Sequence, residues 1–483
     1  MGGDTAGMEQ HFDLVVIGSG SGNSIVDHRF AGLRVALVEK GVGSQDSFGG
    51  TCLNVGCIPT KMFVHTADVA RGAEHGARLG VDLELRGVDW PAVRDRIFGR
   101  IDPIAEGGER YRAEGSRHVT LYRGTASFIG ERRLLVRTAE GETVLTADQI
   151  VVAAGSRPVL PEVPGLDESL GFHTSDSIMR LERLPRRLAV LGSGFVGVEL
   201  AHVFASFGVE VTVIARSGLL LRHEDTDIAE RFTETARRHW DVRLDRKLVR
   251  ARRQGETVLL DLEGPAGQET LEADTLLVAV GRRPNSDLVD AVAGGLALHP
   301  DGRIMVDERQ ATSVPGVWAL GDISSPWQLK HVANLEARTV AHNLLHPDDQ
   351  RTSDHRFVPH AVFTDPRIAS VGLTEQQARA DGVRYVAATR RYADIAYGWA
   401  MEDTTGFAKV LADPATGRLL GAHIIGPEAP TLIQPLVQAM SFGLDARAMA
   451  RGQYWIHPAM PELIENALLG LELDPDPADP VRD

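Results

Sequence analysis

Phe12-Asp13-Leu14-Val15-Val16-Ile17-Gly18-Ser19-Gly20-Ser21-Gly22-Asn23 is the stretch that decides the fold. An apolar, β-branched run stops at three alternating glycines, which predicts a strand feeding a tight turn that can approach an anion. A second apolar run, Arg34 to Val38, ends at Glu39, 21 residues past Gly18. Strand, glycine turn, helix, strand and acid form the dinucleotide-binding βαβ unit, in which the carboxylate takes ribose hydroxyls. Asn23 occupies the usual third-glycine position, so the strand context and Glu39 carry the reading. Gly18, Gly20, Gly22, Asn23 and Glu39 are the expected cofactor contacts.

The pattern recurs. Arg187 to Leu191 runs into Gly192-Ser193-Gly194-Phe195-Val196-Gly197, then a helix and a strand at Val209 to Ile214. Gly192, Gly194 and Gly197 are candidate cofactor residues. Two such units imply two nucleotide cofactors, or a cofactor and a nucleotide substrate. The acid is missing from the second unit: Ala215 stands in its place, followed by Arg216 and, six residues on, Arg222. Arginine there suits a 2′-phosphate, which a carboxylate would repel, so this site is expected to prefer NADPH.

Between and beyond the two units, Gln149 to Ala154 leads into Gly155-Ser156, Thr275 to Val280 into Gly281-Arg282, and Val317 to Leu320 into Gly321-Asp322. These read as chain crossings, with the second unit inserted in the first. After about residue 350 short strands are expected at Ala361–Phe363, Ile368–Val371, Ala408–Leu411 and Leu419–Ile425. Helices are expected at Thr431–Phe442 and Met460–Leu471. The expected division is 8–157 and 281–350 for the first nucleotide domain, 158–280 for the second, 351–473 for an α+β third domain, and a disordered, Asp/Pro-alternating tail at 474–483.

Composition agrees with a soluble globular chain of about three domains: 483 residues, 43% hydrophobic and 24% charged. The net charge of −15 argues against nucleic acid or an anionic membrane as partner. The 50 glycines, above the ~7% norm, suit several tight turns. No run approaches the ~20 apolar residues of a membrane span. Met1 to His11 has no apolar signal core, and Ala6 stands where a myristoylation site needs Ser or Thr, so the cytoplasm is the expected compartment.

Cys52 and Cys57 are the chain's two cysteines. A zinc site would need more ligands, and no metal is expected. A disulfide closing so short a loop would constrain little, which points to redox chemistry. On an ideal helix, residues i and i+5 have Cα atoms ~8–9 Å apart, beyond the ~7 Å a disulfide tolerates. A bridge therefore requires a break in the helix, for which Gly56 and Pro59 are suited.

The run Gly49-Gly50-Thr51-Cys52-Leu53-Asn54-Val55-Gly56-Cys57-Ile58-Pro59-Thr60-Lys61 resembles the redox motif of the FAD-dependent pyridine nucleotide–disulfide oxidoreductases. The resemblance extends from about residue 12 to 472 and includes both glycine turns, Ala153-Ala154-Gly155, Gly321-Asp322 and His457-Pro458. It implies an α/β fold of two Rossmann-like dinucleotide-binding domains, for FAD and NADPH, plus an α+β dimerisation domain and a homodimer. It also implies roles. Cys57 would face the flavin as thiolate, and Cys52 would attack a small disulfide substrate. Lys61 would lie by the flavin, paired with Glu199, and Asp322 would hold the ribityl chain. Thr51, Gly155, Gly281, Arg282 and Gly321 would line the cofactors, and Phe195 would shield the flavin. His457, oriented by Glu462 and supplied by the other subunit, would exchange the proton of the attacking thiol. A thiol of pKa about 8.5 needs a partner that titrates near neutrality, as imidazole does at about 6.5.

Within the family, a lipoamide dehydrogenase would want an acid at Ala215. Mercuric reductases and the large thioredoxin reductases carry a further C-terminal cysteine pair, absent here. A glutathione reductase has glycine in place of Asn23 and a longer first helix. Gly18 to Ile25, Ser324-Ser325-Pro326, Lys330 to Asn334, Tyr397 to Asp403 and Arg451 to Ala459 resemble the branch whose substrate is the disulfide of a cysteinyl–glucosamine–inositol thiol. Reduction of glutathione disulfide or of lipoamide is the alternative within the class. A non-catalytic, nucleotide-bound redox sensor is the alternative outside it.

Overall fold

The computed structural model describes residues 9–475. Its first sheet pairs β1 (Glu9–Ile17) in parallel with β2 (Val35–Glu39) and with β5 (Gly141–Val152), so that Ile17 faces Val38 on one side and Val152 on the other. β3 (Val119–Gly130) runs parallel to β2, and β4 (Arg133–Thr138) returns antiparallel between β3 and β5. The late strand β15 (Val317–Ala319) closes the other edge beside β5. All five residues of β2 are buried, as a parallel strand covered on both faces requires.

A second parallel sheet lies wholly within the sequence between β5 and β15. It joins β7 (Arg187–Leu191), β8 (Glu210–Ile214), β9 (Asp241–Arg243) and β13 (Thr275–Val278) in the order β13-β7-β8-β9. A three-stranded antiparallel sheet, β10 (Lys247–Gln254), β11 (Thr257–Gly264) and β12 (Gly267–Ala273), leads into β13. Where the chain passes between the units, β6 (Ser156–Pro158) pairs antiparallel with β14 (Arg282–Pro284).

The third sheet is antiparallel, in the order β16 (His360–Val362), β17 (Ile368–Gly372), β20 (Leu419–Ile425), β19 (Phe407–Ala412), β18 (Val386–Arg391). Every residue of β19 is buried. β18 escapes sequence reading because it is an edge strand of alternating half-buried and exposed residues, ending in Arg390 and Arg391.

Four sequence expectations need correction. The first glycine turn is followed by no α-helix: Gly22–Ser24 and His28–Phe30 are single 3₁₀ turns. The buried Arg112 guanidinium takes the carbonyls of Asn23 and Val26, and Asp27 caps the second turn, so those groups are diverted from a helical ladder. The helix expected over Thr431–Phe442 is divided into Ala429–Leu432 and Gln434–Phe442, because Pro435 lacks the N–H that would bond Thr431. The last helix spans Glu462–Leu469, shorter than the Met460–Leu471 expected, since Pro461 stands before its first turn. Asp474, placed in the expected tail, is tied down: its N–H bonds Pro414, and Arg384 meets its carboxylate at 2.9 Å. Residues 476–483 of that tail lie outside the described residues.

The core that positions the site is aromatic. Phe63 stacks on Trp90 at 5.2 Å, and Trp90 meets Phe204 at 5.7 Å, clamping the helices Cys57–Ala70, Trp90–Arg110 and Phe195–Ser206 together. Truncating one such ring costs about 3–5 kcal/mol. Among the described residues no helix is long and apolar enough to cross a membrane.

Candidate active site

Cys52 lies on the short helix Gly50–Asn54, and Cys57 opens the helix Cys57–Ala70. Val55 at φ −139° and Gly56 at φ −128°, ψ −121° break what would be one continuous helix. Across this break the two thiols influence each other's titration. Both are free thiols, Cys52 half-buried and Cys57 exposed. The Cys57 thiol is drawn down to about 7, first because Cys52 donates to it and then by the Lys61 ammonium, with burial opposing. Cys52 is pushed upward by holding the shared proton and by burial. The thiolate of the pair therefore resides on Cys57.

One turn along the same helix, Lys61 Nζ meets Glu199 Oε2 at 2.5 Å. Glu199 is 3% exposed on the helix Phe195–Ser206, and its other oxygen accepts the N–H of Phe363 at 2.9 Å. Lys61 Nζ also lies 4.7 Å from the centre of the Phe363 ring. The carboxylate is thus fixed from two sides, and the ammonium is held beside the cysteines. Phe363 is a residue that sequence reading missed; it acts here through its backbone, which leaves no motif.

The two glycine turns are built alike. Gly18 at φ +104° and Gly192 at φ +127° adopt a conformation that side chains rarely tolerate. A Cβ on Gly18 would meet the Ala153 carbonyl oxygen at 2.3 Å, and one on Gly192 the Ala279 carbonyl oxygen at 2.2 Å. In each case the chain leaving one strand crosses directly over the end of the next. Gly22 packs on Ala153 and Gly197 on the Gly192 carbonyl, while Gly20 lies against Gly50, next to Thr51. Glu39, buried at the end of β2, accepts the N–H groups of Ser19 and Gly41, each at 2.5 Å. Asn23 turns its side-chain oxygen to Arg112 at 2.7 Å.

Gly155 and Gly281 mark the two crossings, and space is open around the Cβ position of each. Asp322 accepts from Ser156 Oγ at 2.6 Å, and Ser156 in turn accepts from Arg282 at 2.8 Å. Arg282 therefore reaches Asp322 through Ser156. Gly321 is held by its N–H to the buried Glu336 at 2.7 Å. On the second unit, Arg216 and Arg222 are exposed, and no hydrogen bond or ion pair joins either to another described residue. The N-cap of the helix Phe195–Ser206 is Gly194, with no side-chain cap and no neighbour around its Cβ position. Phe195 beside it is 45% exposed.

At the far end of the chain His457 Nδ1 lies 2.6 Å from Glu462 Oε1. The second Glu462 oxygen accepts the Ala459 N–H at 3.3 Å. The ring is 70% exposed, and no hydrogen bond or ion pair links it to Cys52 or Cys57 of its own chain among the described residues.

The sequence profile of the pyridine nucleotide-disulphide oxidoreductases matches residues 12–337, and that of their dimerisation domain residues 358–468. This chain belongs to the pyridine nucleotide-disulphide oxidoreductase family. It is 52% identical over 467 residues to mycothione reductase of Mycobacterium tuberculosis, covering 95% of this chain and 99% of that protein. It is 31% identical to dihydrolipoyl dehydrogenase of Geobacillus stearothermophilus, covering 94% and 95%. The Cu(II) complex of the HOCl-induced flavoprotein disulfide reductase RclA from Escherichia coli shares the fold, with a TM-score of 0.83, 30% identity and 95% and 99% coverage.

As a member of this pyridine nucleotide-disulphide oxidoreductase family the protein is a homodimeric, FAD- and NADPH-dependent disulfide reductase. The residues present fit both cofactors. Each Glu39 oxygen keeps a lone pair for a ribose hydroxyl, the uncapped helix at Gly194 leaves its N–H groups to an anion, and Arg216 and Arg222 have no partner to leave among the described residues.

Proposed function

We propose that the protein reduces mycothione, the disulfide of the cysteinyl–glucosamine–inositol thiol mycothiol, in the cytoplasm, with neither nucleic acid nor membrane as partner. The disulfide chemistry is carried by one observation, the placement of Cys57 at the head of its helix, across the backbone break from Cys52 and one turn before the Lys61–Glu199 pair. The choice of substrate is supported by the relationship to mycothione reductase. In this reading residues 8–157 and 281–350 form the FAD domain, 158–280 the NADPH domain and 351–473 the interface domain.

FAD, when bound, relays an electron pair from NADPH to the Cys52–Cys57 disulfide. Gly18, Gly20, Gly22, Asn23, Glu39, Thr51, Gly155, Gly321 and Asp322 would hold it, Asp322 being fixed through Ser156 and Arg282. Gly192, Gly194, Gly197, Gly281, Arg216 and Arg222 would hold NADPH. Lys61, anchored by Glu199, stabilises the Cys57 thiolate electrostatically. Cys52 gives its proton to Nε2 of the partner subunit's His457, and its sulfur attacks one sulfur of the substrate disulfide. The substrate S–S bond breaks, a mixed disulfide forms on Cys52, and the departing thiolate takes the proton back from the same imidazole. The Cys57 thiolate then attacks the Cys52 sulfur, restoring the protein disulfide and expelling the second product as a thiolate, which takes its proton from solvent. Glu462 holds the imidazole through Nδ1, which leaves Nε2 for this exchange.

The test is NADPH oxidation by the purified holoenzyme with mycothione, glutathione disulfide and lipoamide compared side by side. Mycothione is expected to give the highest kcat/KM. Equal or faster turnover of either competitor would contradict the substrate assignment.

A further inference from the structure

The first glycine turn departs from the usual dinucleotide-binding arrangement in a way that leaves a charge to be supplied. In a βαβ unit the turn normally opens an α-helix, whose N–H groups and macrodipole face the diphosphate. Here the chain after Gly22 makes only the 3₁₀ turns Gly22–Ser24 and His28–Phe30. Two isolated turns have almost no macrodipole. The Arg112 guanidinium does not replace it at the front of the turn, since its bonds go to Asn23 Oδ1 and to the carbonyls of Asn23 and Val26.

A second cation approaches the turn from a distant part of the chain. Lys330 Nζ donates to Ser21 Oγ at 2.8 Å, and Ser21 Oγ donates on to Asn334 Oδ1 at 3.5 Å. Lys330 and Asn334 both lie on the helix Lys330–Leu345, Lys330 as its first residue. A lysine at that position is unfavourable on its own, because the N-terminal end of a helix already carries partial positive charge. That end has no side-chain cap, and among the described residues no carboxylate pairs with Lys330. Among the described residues its side-chain hydrogen bond goes to a neutral hydroxyl within the glycine turn, and its charge also acts on Cys52. Two positive ends thus converge on the turn with no anion between them.

We propose that Lys330 is the cation that neutralises the diphosphate of bound FAD, taking over the electrostatic role of the helix that the first turn lacks. The inference rests on FAD occupying the first glycine turn, as in the proposed function. Ser21 positions the ammonium through Asn334, and the hydroxyl is free to turn from Lys330 toward a phosphate oxygen when one is present.

The test follows release of FAD from the purified holoenzyme on dilution, read as the rise of free-flavin fluorescence, at several salt concentrations. Wild type, Lys330→Met, Lys330→Arg and Glu39→Leu are compared, with folding checked by circular dichroism. Lys330→Met is expected to release FAD about 10- to 100-fold faster at low salt, the loss of one charge-assisted hydrogen bond. Its release should also depend less on salt than that of wild type, and Lys330→Arg should restore slow, salt-sensitive release. If Glu39→Leu loses FAD while Lys330→Met retains it as wild type does, the Lys330 assignment is overturned and the location of FAD stands. If Lys330→Met releases FAD faster but with undiminished salt dependence, or Lys330→Arg fails to restore retention, the lysine acts by packing and the assignment is also overturned. If Glu39→Leu retains FAD unchanged, the location itself fails, and the assignment with it.

Discussion

Lys61 Nζ and Glu199 Oε2 sit 2.5 Å apart across the junction between the helix that Cys57 opens and the helix that follows the second glycine turn. The pair joins the helix that Cys57 opens to the unit built on the second glycine turn, and the glutamate is anchored a second time by the Phe363 backbone. The ammonium is therefore fixed rather than mobile, and its field acts on the Cys57 sulfur.

That arrangement sets the pH response of the thiolate. In a Cys52→Ser variant, whose hydroxyl still donates to Cys57, alkylation of Cys57 by iodoacetamide should rise through pH about 7, the thiolate being present above it and lost below. Adding Lys61→Met should move the midpoint upward by about one unit, because an opposite charge favours the ionised form. An unmoved midpoint would remove Lys61 from the thiolate's surroundings.

Arg216, just past the end of β8, and Arg222, further along the same loop, are exposed, whereas the first unit places Glu39 at the end of β2. Replacing both by Ala should weaken use of NADPH by two charge-assisted bonds, each ~1.5–3 kcal/mol, and leave NADH nearly untouched. Steady-state kcat/KM with the two nucleotides reads this directly. An unchanged NADPH:NADH ratio would make the two arginines ordinary solvated side chains.

His457→Ala should leave reduction of the flavin by NADPH intact in stopped-flow traces, since that half of the cycle needs no proton from this side. Turnover of the disulfide should fall ~10²–10⁴-fold, the usual loss on removing a general acid–base. Glu462→Gln should cost less, because it orients the ring rather than exchanging the proton.

Lys409, 3% exposed on β19, meets Asp225 at 2.8 Å, Asp227 at 2.7 Å and Glu375 at 2.6 Å. It joins the start of the helix Thr226–Ala236, in the second nucleotide unit, to the antiparallel third sheet. The three carboxylates hold its ammonium well above the ordinary lysine range against the opposing effect of burial. Lys409→Met should destabilise the protein by about 3–5 kcal/mol, because the fully buried Asp225 is left without its counter-charge. Denaturant unfolding of the variant beside wild type measures the loss.

The parts of the fold legible in the sequence are those fixed by neighbours in the chain. Gly18 and Gly192 mark places where a Cβ would strike a carbonyl, and the strands flanking them are runs of buried aliphatic residues. The Cys52–Cys57 spacing, with Gly56 between, announces a broken helix in the same way. What stayed hidden depends on partners far along the chain. The missing first helix reflects Arg112, 89 residues from Asn23, and Lys330 reaches Ser21 across 309 residues. Only one local signal pointed to the latter: a lysine opening a helix, where its charge is unwelcome. Arg282 carries a family resemblance that led toward a cofactor contact, and its inward turn to Ser156 is set by the pairing of β14 with β6.

The central claim is that Cys52 of one subunit works with His457 of the other. Its most direct measurement uses heterodimers assembled from a His457→Ala chain and a Cys52→Ser chain, each inactive as a homodimer. One of the two interfaces then unites an intact Cys52 with an intact His457, so the heterodimer should show about half the wild-type disulfide-reductase activity per dimer. No recovery of activity in heterodimers that bind FAD and accept electrons from NADPH would show that His457 serves its own subunit, and would contradict the account.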